Sequence, residues 1–217
     1  CATLPGANDP NPKALKCNSR QADGARAANC LTTRQAEDYC TFRTKGQGGL
    51  PREIEWEWAA GRGQSRFPWG TDGGQDPASC MRVNAKVGPT GGDGQPGLCA
   101  SDTTWPAGPP GDAAFADRTP ETAPWPAPPL LGMGGNVAEW VADFDTLTGT
   151  RGCPPVDGTP VVTSGMTRVL RGGSWGSAAA FIRSTSRRRL LATEEGQKMQ
   201  DFYPELGARC AWRFPLN

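Results

Sequence analysis

The sequence predicts a folded α+β domain that is rich in loops and poor in regular structure. Two segments have the residue spacing of helices, and several short segments have the alternation typical of strands. The 217 residues include 29 glycines and 21 prolines, just below the share at which low complexity would be the default interpretation. Eight tryptophans argue against disorder, because each offers a large apolar area that needs burial. A chain of this length can hold one domain with a real core.

The first helix is predicted within "TTRQAEDYCTFRT", residues 32–44. Thr32 followed three residues later by Gln35 is the pattern of a capping box, in which each residue bonds the backbone N–H of the other. Ala36, Tyr39, Cys40 and Arg43 follow at helical spacing, which predicts a helix with Cys40 on its buried side.

The second helix is predicted within "GGLPREIEWEWAAGRG", residues 48–63. Pro51 suits a first helical turn, and the acidic residues that follow it lie near the positive end of the helix dipole. Gly61 or Gly63 ends the helix. Ile54 and Trp58, four residues apart, lie on one apolar stripe.

Three later segments contribute to the predicted core. The segment "LLGMGGNVAEWVADF", residues 130–144, supplies the core candidates Val137, Trp140, Val141 and Phe144. The segment "TRVLRGGSW" has the pattern of a strand running into a turn, and "GARCAWRF", residues 207–214, alternates as one half-buried strand. Residues 71–130 are loop by composition.

The eight cysteines are interpreted as disulfide partners. Cys80 and Cys99 bracket a glycine-rich loop of about 20 residues, whose closure would stabilise the fold by about 3 kcal/mol. The pairing of four other cysteines stays open: Cys1, Cys17, Cys30 and Cys153. We interpret residues 1–29 as an irregular disulfide-stapled arm and residues 30–217 as a single globular unit.

Charge and composition exclude several classes of function. A net charge of +1 gives no electrostatic basis for binding nucleic acid, and no apolar run is long enough to span a membrane. The absence of histidine excludes His-ligated metals and Ser-His or Cys-His nucleophiles. The basic run 187–189 is interpreted as a solvated face or as partners of carboxylates, rather than as a phosphate site.

The cysteines imply an oxidising, extracytoplasmic location, whether secreted, periplasmic or on an outer surface. For Cys1 three origins stay open: the lipid-bearing residue of a processed lipoprotein, a cleavage product, or an arbitrary start within a longer chain.

Several segments, in this order, resemble the formylglycine-generating enzyme (sulfatase-modifying factor) family over residues 28–214: "AEDYC", "LPREIEWEWAAGRG", "RFPWG", "MGGNVAEWVADF", "RVLRGGSW" and "GARCAWR". The resemblance implies a loop-rich variant of the C-type-lectin-like fold, with two helices and small, mostly antiparallel sheets. It also implies a disulfide between Cys40 and Cys210. The family's N-terminal strand and helix are not recognisable here, so the arm replaces them, or a larger polypeptide or second chain supplies them.

The resemblance also implies where an active site would lie. Members of the family oxidise a substrate cysteine with two copper(I)-binding cysteines just after the Gly-Gly-Ser turn, at the positions of Ser177 and Ile182. Neither residue can bind copper as a thiolate. A tryptophan of the family is replaced by Ala138, while the turn hydroxyl is kept as Ser174. No copper is therefore expected.

A structural calcium site is implied around the "GNVAE" segment, at Gly135, Val137 and Glu139. Hard oxygen ligands are those that calcium prefers. One ligand of the family's site is lost at Gly132, and a second site would use Asn84 with Asp93. The alternative for Glu139 is an ion pair with one of three arginines: Arg168, Arg171 or Arg183.

Two hypotheses about function stay open. The first is a non-catalytic module that binds a protein or glycan through irregular loops on a rigid base. Variable proteins of diversity-generating retroelements have the same fold and vary in the region that matches residues 176–189. The ligand contacts predicted here are Trp175, Ser177, Phe181, Arg183, Arg187 and Arg188. The alternative to this site is a mobile loop.

The second hypothesis is an oxidoreductase of the family, or another enzyme with a non-standard site. Its candidate hydroxyls are those of Ser174 and Ser177. Its candidate carboxylates are those of Glu139, Asp143 and Asp201. No pair of them has a spacing typical of a general acid and base.

Overall fold

The computed structural model describes residues 17, 26–61, 65–69, 83, 85, 130–145, 167–191 and 203–213. The helices and strands, in chain order, are α1 (Thr33–Arg43), β1 (Gly48–Gly49), α2 (Glu53–Gly61), β2 (Ala138–Asp145), β3 (Thr167–Arg171), β4 (Arg187–Leu191), β5 (Leu206–Ala208) and β6 (Ala211–Trp212). A short 3₁₀ helix, Ala179–Phe181, precedes β4. The fold is α+β, as predicted.

The N-terminus of α1 is a capping box. The Thr32 hydroxyl accepts the N–H of Gln35 at 3.1 Å, and the Gln35 side chain accepts the N–H of Thr32 at 2.9 Å. Both N–H groups would otherwise lack a partner inside the helix. Ala36 and Cys40 are fully buried, so the predicted burial of Cys40 is confirmed. Tyr39 and Arg43, which share the predicted spacing, are exposed instead.

The buried stripe of α2 is not the predicted one. Trp58 is 60% exposed, and the fully buried aromatic residue is Trp56, two positions earlier. Trp56 packs with Met133, Val141 and Val169 beneath the sheet. Its indole N–H also donates to a carboxylate on β2, a partner that only the tertiary fold supplies.

The larger sheet has four strands in the order β4-β3-β2-β5. The β4–β3 and β3–β2 pairs are antiparallel, and β2–β5 is parallel. Trp140 and Leu170, which face each other across β2 and β3, pack with Ala36 and Cys40 of α1 in the main core. Smaller apolar clusters lie under α2 and beside the 3₁₀ helix.

The C-terminal segment "GARCAWRF" does not form the one strand predicted for it. Leu206–Ala208 belongs to the four-stranded sheet, whereas Ala211–Trp212 pairs with β1 in a separate two-stranded sheet. The chain leaves one sheet and enters the other at Arg209 and Cys210. Both side chains make long-range connections there, an ion pair and a disulfide, and these override the local alternation.

Two disulfides connect distant parts of the described chain. Cys40–Cys210 joins α1 to the segment between β5 and β6, as the family resemblance implies. Cys17–Cys30 ties the preceding arm to a position three residues before the start of α1, and Asn29 bridges to Gly207 of β5. The predicted pair Cys80–Cys99, like Cys1 and Cys153, lies outside the described residues. Within the described residues, no helix has the length and apolar character needed to cross a membrane.

We expect the two disulfides to stabilise the fold unequally. In the chain-entropy model the sequence separations of 170 and 13 residues correspond to losses of about 5 and about 3 kcal/mol in the free energy of unfolding. Urea unfolding, followed by tryptophan fluorescence, of Cys40→Ala/Cys210→Ala and Cys17→Ala/Cys30→Ala measures the difference. An equal or smaller loss for the first variant contradicts the expectation.

Candidate functional site

The site begins where β3 ends in a turn that requires glycine. Gly172 and Gly173 have φ angles of 82° and 66°, a region that residues with a side chain rarely adopt. A Cβ on Gly172 would lie 2.9 Å from the carbonyl oxygen of Met133, and one on Gly173 would lie 2.7 Å from that of Phe181. The two glycines therefore let the turn pack against neighbouring backbone on both sides.

The turn places two serine hydroxyls beside one carboxylate. Ser174 Oγ donates to Glu205 Oε2 at 2.6 Å and lies 3.1 Å from Ser177 Oγ. Because the single hydroxyl proton of Ser174 is directed to Glu205, the proton between the two serines belongs to Ser177. The N–H of Ser174 donates to Ser177 Oγ at 2.9 Å, and the N–H of Gly176 donates to Ser174 Oγ at 3.2 Å. The hydroxyls thus form a directed chain that ends on Glu205.

Glu205 was missed by the sequence reasoning, whose candidate carboxylates were Glu139, Asp143 and Asp201. Asp201 lies outside the described residues. Glu205 reaches the turn because β5, which follows it, runs parallel to β2; the Glu205 carbonyl accepts the N–H of Ala138 at 2.7 Å. No pattern in the nearby sequence predicts that Glu205 lies beside the serine turn. The only signal in the sequence is the position of Glu205 immediately before the start of β5.

At the two positions where the family resemblance implies copper ligands, the residues have other partners. Ser177 takes part in the hydroxyl chain, and Ile182 is fully buried in an apolar cluster with Phe67, Val83 and Ala85. Ala138 is also buried, in the main core. Copper(I) prefers soft thiolate or thioether ligands, so a hydroxyl and an alkyl group do not fit it.

The six predicted ligand contacts differ in accessibility. Trp175 and Ser177 are buried, whereas Phe181 is 49% exposed. Arg188 is exposed, and its guanidinium lies over the Phe181 ring, 5.8 Å from the centroid. Arg183 is half-buried, and its Nε is enclosed without a hydrogen bond.

Arg187 has structural partners in this arrangement. It contacts Glu53 at 2.7 Å and Asp145 at 2.8 Å, so its guanidinium ties β4 to α2 and β2. Arg189 pairs with Asp145 as well, at 2.9 Å. The carboxylate partners expected for this basic run are therefore present for two of its three arginines.

Comparison with known proteins identifies the family. The sequence profile of the Sulfatase-modifying factor enzyme 1-like domain matches residues 4–214, nearly the whole chain. The chain belongs to this family.

Two solved structures are similar to this sulfatase-modifying factor-like chain. "Structure of PvdO from Pseudomonas aeruginosa" aligns with a TM-score of 0.53 and 23% identity, over 88% of this chain and 63% of that one. "Treponema denticola variable protein 1" aligns with a TM-score of 0.45 and 25% identity, over 76% of this chain and 48% of that one. This chain thus spans less than two thirds of either protein's length. Among proteins with curated descriptions, none matches the sequence.

One of the calcium ligands that the family resemblance implies, Glu139, is bound by an arginine. Arg209 binds the Glu139 carboxylate with Nε and Nη2, at 2.8 to 3.2 Å. Trp56 Nε1 donates to the same carboxylate at 2.6 Å. Arg209 Nη2 also donates to the carbonyl oxygens of Leu131 and Gly132, at 2.9 and 3.1 Å.

These contacts do not fit a calcium ion at Glu139. An ion bound there would share the carboxylate with a guanidinium, and like charges at that distance repel. Gly135 and Val137 are buried beside this segment, while Asn84 and Asp93 of the second implied site lie outside the described residues. The part of the chain that the structure describes holds no cluster of three or more cysteine, aspartate or glutamate side chains that could bind a metal.

The arginine partner of Glu139 is not one of those expected. Arg168 pairs with Glu37, and Arg171 with Glu53 and Glu57.

Asp143, the remaining candidate carboxylate, caps a helix. Its Oδ2 accepts the N–H of Glu53, the first residue of α2, at 2.6 Å. Burial raises the pKa of Asp143, and the nearby charge of Glu53 raises it further, against the lowering effect of that hydrogen bond. Neither Asp143 nor Glu139 therefore contributes to the serine turn.

We expect Arg209→Met to lower the free energy of unfolding by about 3 kcal/mol, because it leaves the buried Glu139 carboxylate without a counter-charge. The double variant Glu139→Gln/Arg209→Met should lose less than the single variant. Arg34→Met, which breaks the exposed pair with Asp38, is the matched control and should change stability by less than about 0.5 kcal/mol. Urea unfolding measures all three. A loss for Arg209→Met no larger than that of the control contradicts the assignment.

We expect Asp143→Asn to alter how stability depends on pH. Because the pKa of Asp143 is raised in the folded protein, the folded state holds this proton more tightly than the unfolded state does. Its contribution to stability is thus present at low pH and lost as pH rises from the ordinary aspartate pKa through the raised one. Asparagine, whose side-chain oxygen can still accept from Glu53, removes this loss. Urea unfolding at a series of pH values should show the variant gaining relative to the wild type as pH rises; a constant difference contradicts this.

Proposed function

We propose that this chain is a binding module of the sulfatase-modifying factor-like family that does not carry out copper-dependent cysteine oxidation. The proposal rests on which residues stand at the two positions where the resemblance implies copper ligands. Ser177 is bonded within the hydroxyl chain, and Ile182 is fully buried in an apolar cluster. Both residues contribute to packing and hydrogen bonding of the turn. The chain thus keeps the backbone turn of the family's site but not the thiolates that would bind copper.

The binding face in this proposal is the surface between the turn and β4. Phe181 and Arg188 form an exposed aromatic and cationic pair there, and Ala178 and Ala180 are small exposed neighbours. Arg183 contributes a guanidinium whose Nε has no partner in the described chain. Trp175 and Ser177 support this face from beneath, and Arg187 anchors β4. The ligand is a protein or a glycan that contacts an irregular surface on a rigid base.

An enzyme using the serines is less well supported by the same geometry. The Ser174–Glu205 contact resembles a nucleophile with a base, since a hydroxyl donates to a carboxylate at 2.6 Å. Yet Ser174 and Ser177 are 0% and 4% exposed, so a substrate reaches neither oxygen in this structure.

We propose that the Arg209 guanidinium supplies the positive charge that calcium would bring to Glu139. The two disulfides support an oxidising, extracytoplasmic compartment, because such bonds are rare where thiols are kept reduced.

Metal loading tests the proposal. The purified chain, titrated with copper(I) against a chromophoric chelator, should take up no stoichiometric copper and consume no oxygen with a cysteine-containing peptide. Ser177→Cys/Ile182→Cys should gain copper(I) binding through a restored thiolate pair, whereas the control Ser177→Cys should not. Calcium, compared with EDTA, should leave the melting temperature unchanged. Stoichiometric copper with oxygen uptake by the wild type overturns the proposal, and a calcium-dependent melting temperature overturns the role given to Arg209.

A further inference from the structure

Glu205 differs from the other glutamates of the described chain in having no arginine partner. The others each lie within 4 Å of an arginine nitrogen: Glu37, Glu53, Glu55, Glu57 and Glu139. Within the described residues, Glu205 makes side-chain hydrogen bonds only to the neutral hydroxyl of Ser174. A half-buried carboxylate without a counter-charge is destabilised relative to one that is paired, so it gains when a cation binds.

The surroundings of Glu205 hold its carboxylate in one place. Oε2 accepts from Ser174, which itself accepts from Ser177 and from the N–H of Gly176. Oε1 lies against the bare Cα of Gly176, where a Cβ would approach it to 2.6 Å. The serines are buried and Glu205 is half-buried. The carboxylate is therefore the group of this cluster that a ligand can reach, and the hydroxyls position it.

We propose that Glu205 is the recognition residue of a subsite for an alkylammonium group, a positive charge at the end of an aliphatic stem. This inference rests on the proposed binding function and names its ligand chemistry. Three exposed apolar residues come shortly after the turn in the sequence: Ala178, Ala180 and Phe181. The backbone of Phe181 packs on Gly173. The exposed apolar surface of these three residues suits the aliphatic stem, while the ammonium contacts Glu205.

An ammonium ion fits this cluster better than a metal ion does. One carboxylate and two hydroxyls fall short of the six to eight oxygens that calcium takes. Ser174 Oγ already accepts two hydrogen bonds and donates a third, so it has no free lone pair for a metal. An ammonium needs only acceptors, and Glu205 Oε1 has no hydrogen-bond donor among the described residues.

The test titrates the wild-type chain with three probes and follows the backbone amide resonances of Ser174 and Gly176 by NMR. The probes are n-pentylamine, Nα-acetyl-lysine methylamide and, as the neutral control, n-pentanol. Both ammonium probes should shift these resonances and n-pentanol should not. Equal affinities of the two amines indicate that a free amine suffices as the ligand. Tighter binding of the lysine derivative indicates that the ligand is a lysine within a peptide. Absence of shifts with both amines, equal shifts with n-pentanol, or a calcium-induced shift of the same resonances overturns the proposal.

Three variants locate the effect. Glu205→Gln should weaken binding of both amines by about tenfold or more, since it replaces a charged hydrogen bond by a neutral one. Gly176→Ala should weaken it as well, because the added methyl displaces the carboxylate. Asp38→Asn, which removes an exposed carboxylate from α1, is the control and should bind as the wild type does. Unchanged binding by Glu205→Gln overturns the assignment.

A second measurement keeps the inference testable if Glu205→Gln does not fold. Raising the salt concentration from about 0.05 to about 0.5 M should weaken binding of the amines to the wild type, because screening reduces charge attraction at a half-exposed site. Salt-independent binding overturns the proposal. If neither amine binds and the chain takes up no copper, only the proposed alkylammonium ligand is refuted. If the chain takes up copper and consumes oxygen, the proposed binding function itself is refuted.

Discussion

The pairing of buried carboxylates with arginines is the interaction on which the fold depends. Arg171 on β3 is almost wholly buried and contacts Glu53 and Glu57 of α2. Burial lowers the pKa of Arg171, and the two glutamates oppose that effect. Glu53 also binds Arg187, whose pKa is raised, against the effect of burial, by its hydrogen bonds to Glu53 and Asp145. Because removing a charge from water is costly, the ion pairs of these groups help to set the position of α2 on the sheet.

Within the described residues, this dependence on charge pairing accompanies an apolar core that is divided into parts. The buried apolar residues fall into separate small clusters, and the longest described strand, β2, carries carboxylates at Glu139, Asp143 and Asp145 among its buried positions. Each carboxylate faces a different element: the segment between β5 and β6 with Arg209, the start of α2, and β4. The strand therefore carries buried charges to which α2, β4 and the segment after β5 attach by directed bonds. Directed bonds specify geometry more sharply than apolar contact does.

Local hydrogen bonding was predictable from the sequence, whereas long-range pairing was not. The capping box of α1 depends on two residues three apart, so its pattern is readable in the chain. The choice of Trp56 over Trp58 as the buried aromatic residue depends on Glu139, which is 83 residues away. The split of the last strand similarly depends on what Arg209 and Cys210 contact. The Cys40–Cys210 bond was available only through the family resemblance, because spacing alone does not determine which cysteines pair.

The same contrast between local and long-range contacts applies to the turn after β3. Gly172 and Gly173 are required by the close approach of Met133 and Phe181, whatever residues follow them. Ser177 and Ile182 each found a structural role, one in a hydrogen-bond chain and the other in an apolar cluster. Within the described residues, Glu205 is bound by a hydroxyl of this turn and lacks the arginine partner that the other glutamates have, so its charge is the one that a ligand could still pair.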